Sequence, residues 1–377
     1  MSIAYIKKAN KYSELSAILD MMNLDVYGKK IFIKPNLVIP IPPSSGVITN
    51  PEIVRVLIRY LREKGANEIF IGELPALGIN IAEMYKKCKY LDLAKEEGVT
   101  LLNLLKAEFV SLKWDYGTLR IPKIIKDSYY INIAKLKTHV QTTVTLGLKN
   151  QKGLLQDKEK KQMHKSGLHK PIADLTAFCK PDLTIIDGIT AIQGDGPLTS
   201  GELVNANVLI ASEDIVSADS AACRIMDIDP YSVKHIKYAS DFKAGDIDPE
   251  IKGDDVNKIK IKFKRANEVC LEFYKIKVWR NPHACTMCGD ALKFVLVKIV
   301  KNPKYWFTVA PKIVYYTFFK GIDFVMGSNS KFTEDSKRLV IYIGKCAKAE
   351  EKSGNSIFIE GCPPKEQNML KKLSDSL

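Results

Sequence analysis

Apolar residues fall in short, dense runs separated by polar turns, and helical periodicity appears between the runs. The segment Lys29 to Leu37 holds a β-branched run that stops at Pro35, and Asn50-Pro51 then opens PEIVRVLIRYLREKG. Asn50 can cap a helix, Pro51 suits its first turn and Gly65 can end it. A second apolar run, NEIFIGE (Asn67 to Glu73), follows at once. Strand, helix and strand of these lengths predict a βαβ unit, hence a parallel pair joined by a right-handed crossover. The same grammar recurs at Ser128 to His139, at Asp182 to Ile192 and at Asn207 to Met226. A doubly wound, mostly parallel α/β sheet is the expectation.

In such sheets ligands bind beyond the carboxyl ends of the strands. That rule points to Lys34, Asn36, Lys137, Thr138, His139, Asp187 and Asp195. Gln151 to Lys170 is polar, basic and poor in apolar periodicity, and reads as a long functional loop. The expected organisation is an α/β core over 1–240, a connecting segment over 241–280 and a small module over 281–377. From Ala291 to Lys320 the module carries six lysines, no acid and eight aromatic side chains, divided into helical pieces by Pro303 and Pro311. Basic plus aromatic suits peripheral membrane or partner contact through 291–320; the plainer expectation packs the aromatics inward and solvates the lysines.

Composition narrows the class. The 377 residues are 46% hydrophobic and 27% charged, which excludes disordered, collagen-like and coiled-coil chains. The start, MSIAYIKKANKY, lacks a signal-peptide apolar core, and no stretch approaches the ~18 apolar residues of a membrane span, so a cytoplasmic chain is expected. A net charge of +14 would attract an anionic partner. Without a zinc-finger, RNP or helix-turn-helix signature, nucleic acid is not expected.

Eight cysteines are too few for a disulfide scaffold in a chain of this length, so their spacing matters more than their number. Cys285 and Cys288 form C-x-x-C; Cys346 and Cys362 each follow a strand-like run, Arg338 to Ile343 and Ser356 to Glu360. If those strands are parallel neighbours, their carboxyl ends lie roughly 5 Å apart. Four thiolates then gather. Zinc and a cluster are both tetrathiolate options; one paired motif, scattered partners and a terminal Cys362-Pro363 favour one 4Fe-4S cluster. Cys88, Cys179, Cys223 and Cys270 lack paired spacing and are assigned to core or surface.

With these residues in view, the chain resembles the uncharacterised family called domain of unknown function 362. The matching stretches are Ile33 to Leu37, Thr49 to Val54, Lys135 to His139, Gly147 to Leu155, His164 to Leu175 and Asp187 to Glu202. The resemblance implies iron-sulfur cysteines and a two-lobed α/β layout similar to that of the nickel-pincer lactate racemases. A full C-x-x-C-x-x-C-x-x-x-C run is absent, so one cluster is the most expected here.

His139, His164 and His169 fall near Lys137 and Lys149 in sequence, offering proton exchange beside ammonium groups. The expected catalytic set is His139, His164, His169 and Lys137, with Lys34, Asn36, Lys149 and Asn150 binding a small anionic substrate. Gly194 to Glu202 matches neither a P-loop nor a dinucleotide fingerprint. The first functional expectation is an oxidoreductase in which a cluster on Cys285, Cys288, Cys346 and Cys362 works with that pocket and a redox partner protein. The alternatives are a racemase-like enzyme acting on a 2-hydroxy acid, and a binding or scaffold protein with a structural cluster.

Overall fold

The computed structural model describes residues 2–76, 78–266, 269–273, 275–280, 286–327, 337–347, 355–361 and 364–376; the side chains of 269–273, 280, 286, 287, 290, 293, 346 and 376 are outside that description. The chain forms two compact units, one from 1–137, 144–193 and 203–264, the other from 138–143, 194–202 and 265–377.

In chain order the strands of the first sheet are β1 (Ile3–Lys8), β2 (Ile31–Lys34), β3 (Ile69–Gly72) and β4 (Thr100–Leu102). A separate antiparallel hairpin follows, β5 (Phe109–Trp114) and β6 (Gly117–Pro122). The sheet then continues with β7 (Tyr129–His139), β8 (Thr143–Thr145), β9 (Leu183–Gln193), β10 (Glu202–Ser212) and β11 (Glu250–Gly253). Among the described residues the sheet runs β11-β1-β10-β9-β7-β2-β3-β4, with β8 beside β7. The stretch β9-β7-β2-β3-β4 is parallel throughout. Burial of β2, β7 and β9 is nearly complete, which explains why these strands read as largely apolar runs rather than alternating ones.

The helices of this unit are α1 (Leu15–Met22), α2 (Pro51–Glu63), α3 (Ile81–Lys87), α4 (Tyr90–Glu97), α5 (Gly147–Asn150), α6 (Asp157–Lys165), α7 (His169–Leu175), α8 (Ile215–Ile225), α9 (Lys234–Asp241) and α10 (Val256–Ile259). Asn50 caps α2 as its sequence predicts, its side chain accepting from the Glu52 amide, and Pro51 occupies the first turn. The loop expected over Gln151 to Lys170 is helical instead, in a 3₁₀ turn over Gln151–Leu154, in α6 and in the start of α7. Asp157 and Glu159 at the amino end of α6, with His164 and Lys165 at the other, complement its dipole. Its buried residues are Glu159, Lys160 and Met163, so the inward face is largely polar and leaves no apolar stripe in the sequence.

In the second unit the order is β12-β13-β14-β15-β16: β12 (Val269–Phe273), β13 (Ile276–Arg280), β14 (Ile322–Met326), β15 (Leu339–Ile343) and β16 (Ser356–Ile359). The last four are parallel, including the expected β15–β16 pair. The helices here are α11 (Thr286–Lys301), α12 (Ala310–Tyr315) and α13 (Glu366–Ser376). Leu292, Val295 and Ile299 of α11 pack with Phe324, Ile341 and Met369. Asp323, buried in β14, accepts from Arg338 at 2.5 and 3.0 Å and from the Trp279 indole at 3.0 Å, which ties three strands together.

Candidate functional site

The parallel order 4-3-2-7-9 places the switch in winding direction between β2 and β7. At such a point the loops leaving neighbouring strands diverge and open a crevice at the strand ends. Lys34 is the last residue of β2, Asn36 follows it, and Lys135 and Lys137 lie on the part of β7 that outruns β2, since Lys34 is in register with Asn132.

These side chains form one buried network. Lys34 Nζ donates to Glu73 Oε2 at 2.8 Å, to Asn150 Oδ1 at 3.0 Å and to the Pro35 carbonyl at 3.1 Å. Asn36 Nδ2 also donates to Asn150 Oδ1 at 3.0 Å, while Lys137 Nζ donates to Asn36 Oδ1 at 2.6 Å and to the Val47 carbonyl at 2.8 Å. The Asn150 amide donates in turn to Asn132 Oδ1 at 2.8 Å and to the Ile133 carbonyl at 3.2 Å. Thr49 closes the turn, its hydroxyl accepting from the Asn36 amide and donating to the Ile133 carbonyl.

Asn150 reaches β2 and β7 because the amino end of α5 is pinned from two sides. Asp219 on α8 accepts from the Gly147 and Leu148 amides at 2.6 and 2.9 Å, and Asn132 donates to the Gly147 carbonyl at 3.0 Å. Burial raises the Asp219 carboxyl to about 7, against the lowering effect of those two amides. The Gly153 backbone comes so close that a Cβ there would overlap Glu73 Oε1 and sit 2.7 Å from Lys34 Nζ. Glycine is required by that approach.

The amines differ in their partners. Lys34 has Glu73: burial presses both groups toward their neutral forms and their mutual contact opposes it. Lys135 likewise pairs with Asp187 at 2.9 Å and with the Thr190 hydroxyl at 3.1 Å, so Asp187 orients a lysine. Lys137 has two neutral acceptors. Burial therefore lowers it to about 7, helped by repulsion from Lys135 and Lys34. Lys160 of α6 donates to the Leu74 and Pro75 carbonyls, and burial lowers it to about 8. Lys149 is pushed well down by burial and by Lys152 and Lys137.

Of the expected residues, Lys34, Asn36, Lys137 and Asn150 are joined directly, and Lys149 is buried beside them on α5. The histidines are placed otherwise. His164 is exposed and meets Lys152 Nζ at 2.6 Å. His169 stacks on His235, a fully buried imidazole, at 5.6 Å between ring centroids. His139 belongs to the second unit, where its Nδ1 accepts from the Gln141 amide at 3.0 Å and caps its own turn. Sequence reasoning missed Glu73, Asn132, Lys135, Lys160 and His235. Glu73 was within reach of the strand-end rule, because it directly follows β3.

For the cysteines, Cys88, Cys179 and Cys223 are buried in the first unit. The side chain of Cys270, Cys285 and Cys362 in full, and the side chain of Cys346 lie outside the described residues. Cys288, in the first turn of α11, is buried in the apolar core of the second unit. Among the described residues no group of three or more His, Cys, Asp or Glu side chains gathers to hold a metal.

The class defined by this architecture is a parallel α/β protein with a polar, lysine-rich switch point. The chain belongs to the family described as a domain of unknown function (DUF362), whose model matches residues 31–224. The match takes in β2 through most of α8, and with them every member of the lysine-asparagine network. A thylakoid-associated protein of Synechocystis is 29% identical over 213 residues, covering 55% of this chain. The chain thus spans 65% of that relative's length. No solved structure matches it.

Proposed function

We propose that this protein is an iron-sulfur enzyme that acts on a small carboxylate or phosphate at the β2–β7 switch point. The observation that carries the reading is the convergence of Lys34, Asn36, Lys137 and Asn150 there. Lys34 is fixed by Glu73 and presents hydrogen-bond donors at the strand end. Asn36 and Asn150 hold the amines in place and can reorient their amides toward ligand oxygens. Lys137, near half protonation at neutral pH, can take a proton from a bound ligand or return one.

The cluster part rests on topology. The C-x-x-C pair follows the carboxyl end of β13, Cys346 that of β15 and Cys362 that of β16, so all four cysteines succeed parallel strands of one sheet. Beyond those ends the Gly344 amide donates to the Ile359 carbonyl at 2.9 Å and the Lys345 amide to the Gly361 carbonyl at 2.8 Å, keeping the two chains paired up to their cysteines. Cys285, Cys288, Cys346 and Cys362 would hold one 4Fe-4S cluster, a four-thiolate set that suits it. Bound there, the cluster supplies single electrons.

Metal and sulfide analysis of anaerobically purified protein, with electron paramagnetic resonance before and after dithionite, tests this. About four irons and four sulfides with a reducible signal, lost in Cys346→Ser, support it; zinc alone overturns the redox part. A second reading, proton transfer at a 2-hydroxy acid without redox chemistry, is favoured by the lowered Lys137 amine. Bound nickel cofactor and racemisation without an electron donor would select it.

A further inference from the structure

We propose that the outer face of α11 and α12 docks on the surface of an anionic phospholipid bilayer. α11 is apolar on two sides. Leu292, Val295 and Ile299 fill the core of the second unit, while Phe294, Val297 and Val300 lie on the opposite side and are exposed. The exposed series continues through Trp306, Phe307, Val314, Tyr315, Phe318 and Phe319, with Phe307 at 88% and Phe319 at 69% exposure. Of the eight aromatic side chains only Tyr305 and Tyr316 pack against the core, so the expected inward packing holds for those two and not for the other six. Their burial in water-free surroundings is forgone by the chain alone, and so large a patch marks a contact surface.

Charge selects the occupant. From 291 to 320 there are six lysines and no acidic residue. Lys301, Lys304, Lys312 and Lys320 are exposed among the aromatics, and Lys298 alone of the six forms an ion pair among the described side chains, with Glu366 at 2.6 Å. A second copy related by two-fold symmetry would set these lysines against lysines with no acid to offset them. An anionic bilayer offsets them all. Trp, Tyr and Phe side chains sit favourably at the headgroup boundary, and the lysine stems can lie on apolar surface with their amines in the phosphate layer. Among the described residues no helix is long and apolar enough to cross a membrane, so the face would lie on the bilayer.

Co-sedimentation of the full chain with vesicles of phosphatidylcholine alone, or with about 30% phosphatidylglycerol, at about 0.1 M salt tests the proposal. Binding should be at least about tenfold tighter to the anionic vesicles, and Phe307→Ser/Phe319→Ser and Lys301→Glu/Lys304→Glu/Lys312→Glu should each weaken it by about tenfold or more. All five side chains are exposed, so unchanged circular dichroism and thermal midpoint should accompany the loss. Trp306 emission should shift to the blue on anionic vesicles, a shift missing from Trp306→Phe. Equal binding to neutral vesicles, or binding that survives both multiple variants, overturns the proposal. So does a dimer in sedimentation equilibrium that Phe307→Ser dissociates, which would make a second copy the occupant.

Discussion

Two regions use lysine in opposite ways. At the strand ends of the first sheet, Lys34, Lys135 and Lys137 are fully buried and each amine has named oxygen partners. Along the stretch of α11 and α12, Lys301, Lys304, Lys312 and Lys320 stay in water while the aromatics beside them are left uncovered. Ordinary folding places these groups the other way round. A buried ammonium is expensive unless paired, and an exposed Phe forgoes the favourable transfer of its ring from water. Each region therefore holds an unfavourable arrangement that folding alone does not require, and both are reasonable places to look for a ligand.

Substitutions should separate the two regions by size of effect. The largest is expected at the buried pair: Lys34→Met leaves Glu73 buried without its cation and should lower unfolding free energy by about 3–5 kcal/mol, measured by urea titration. Lys34→Met/Glu73→Leu should recover much of that loss, because no charge is then stranded. A smaller loss of about 1–3 kcal/mol is expected for Gly153→Ala, which forces the turn before α6 away from the pair. Equal tolerance of both single variants would show that the pair is not the anchor of the region.

Lys137 should show itself through pH. Its amine is lowered to about 7 in the folded chain and recovers its ordinary value of about 10.5 when unfolded. Between these values the unfolded chain binds the extra proton, so stability rises with pH across that window, by at most about 1.4 kcal/mol per unit for this group. Below pH 7 both states are protonated and the penalty is constant. Lys137→Met should remove the rise, which denaturation series at several pH values would reveal. Asp219 has the opposite sign. Its carboxyl is raised from 3.8 to about 7, so its contribution is present at low pH and lost as pH climbs from 3.8 to 7. Asp219→Asn should flatten that decline. The smallest effect belongs to the surface: Lys301→Ala/Lys304→Ala should change stability by no more than about 0.5 kcal/mol.

The parallel core was readable because strands buried on both faces announce themselves as apolar runs, and Asn50-Pro51 and Gly65 bracket their helix by backbone chemistry that needs no tertiary context. Lys34, Asn36, Lys137 and Asn150 followed from the strand-end rule and the stretches matching the family. β1 and β11 were missed; β11 is a short edge strand, and its pairing with β1 joins residues about 250 positions apart. α6 was missed for a more instructive reason: Glu159 and Lys160 are buried, one beside Arg120 and the other over the Leu74 and Pro75 carbonyls, so its inward face is polar. Hydrophobic periodicity detects only helices that cover an apolar core. The histidines were grouped by closeness in sequence, and the fold distributes them among a helix surface, a stacked pair and a turn in the other unit.

If the switch point takes an anion as proposed, the neutral partners of Lys137 would make its capture a proton-consuming event. An anion arriving at the switch point would favour the ammonium form, drawing a proton from solvent near neutral pH. Calorimetric enthalpies of binding should therefore differ between buffers of unlike ionisation heat, and affinity should weaken as the medium becomes alkaline. The chain would then register the acidity of its surroundings through occupancy, with a lysine rather than a histidine as the titrating group.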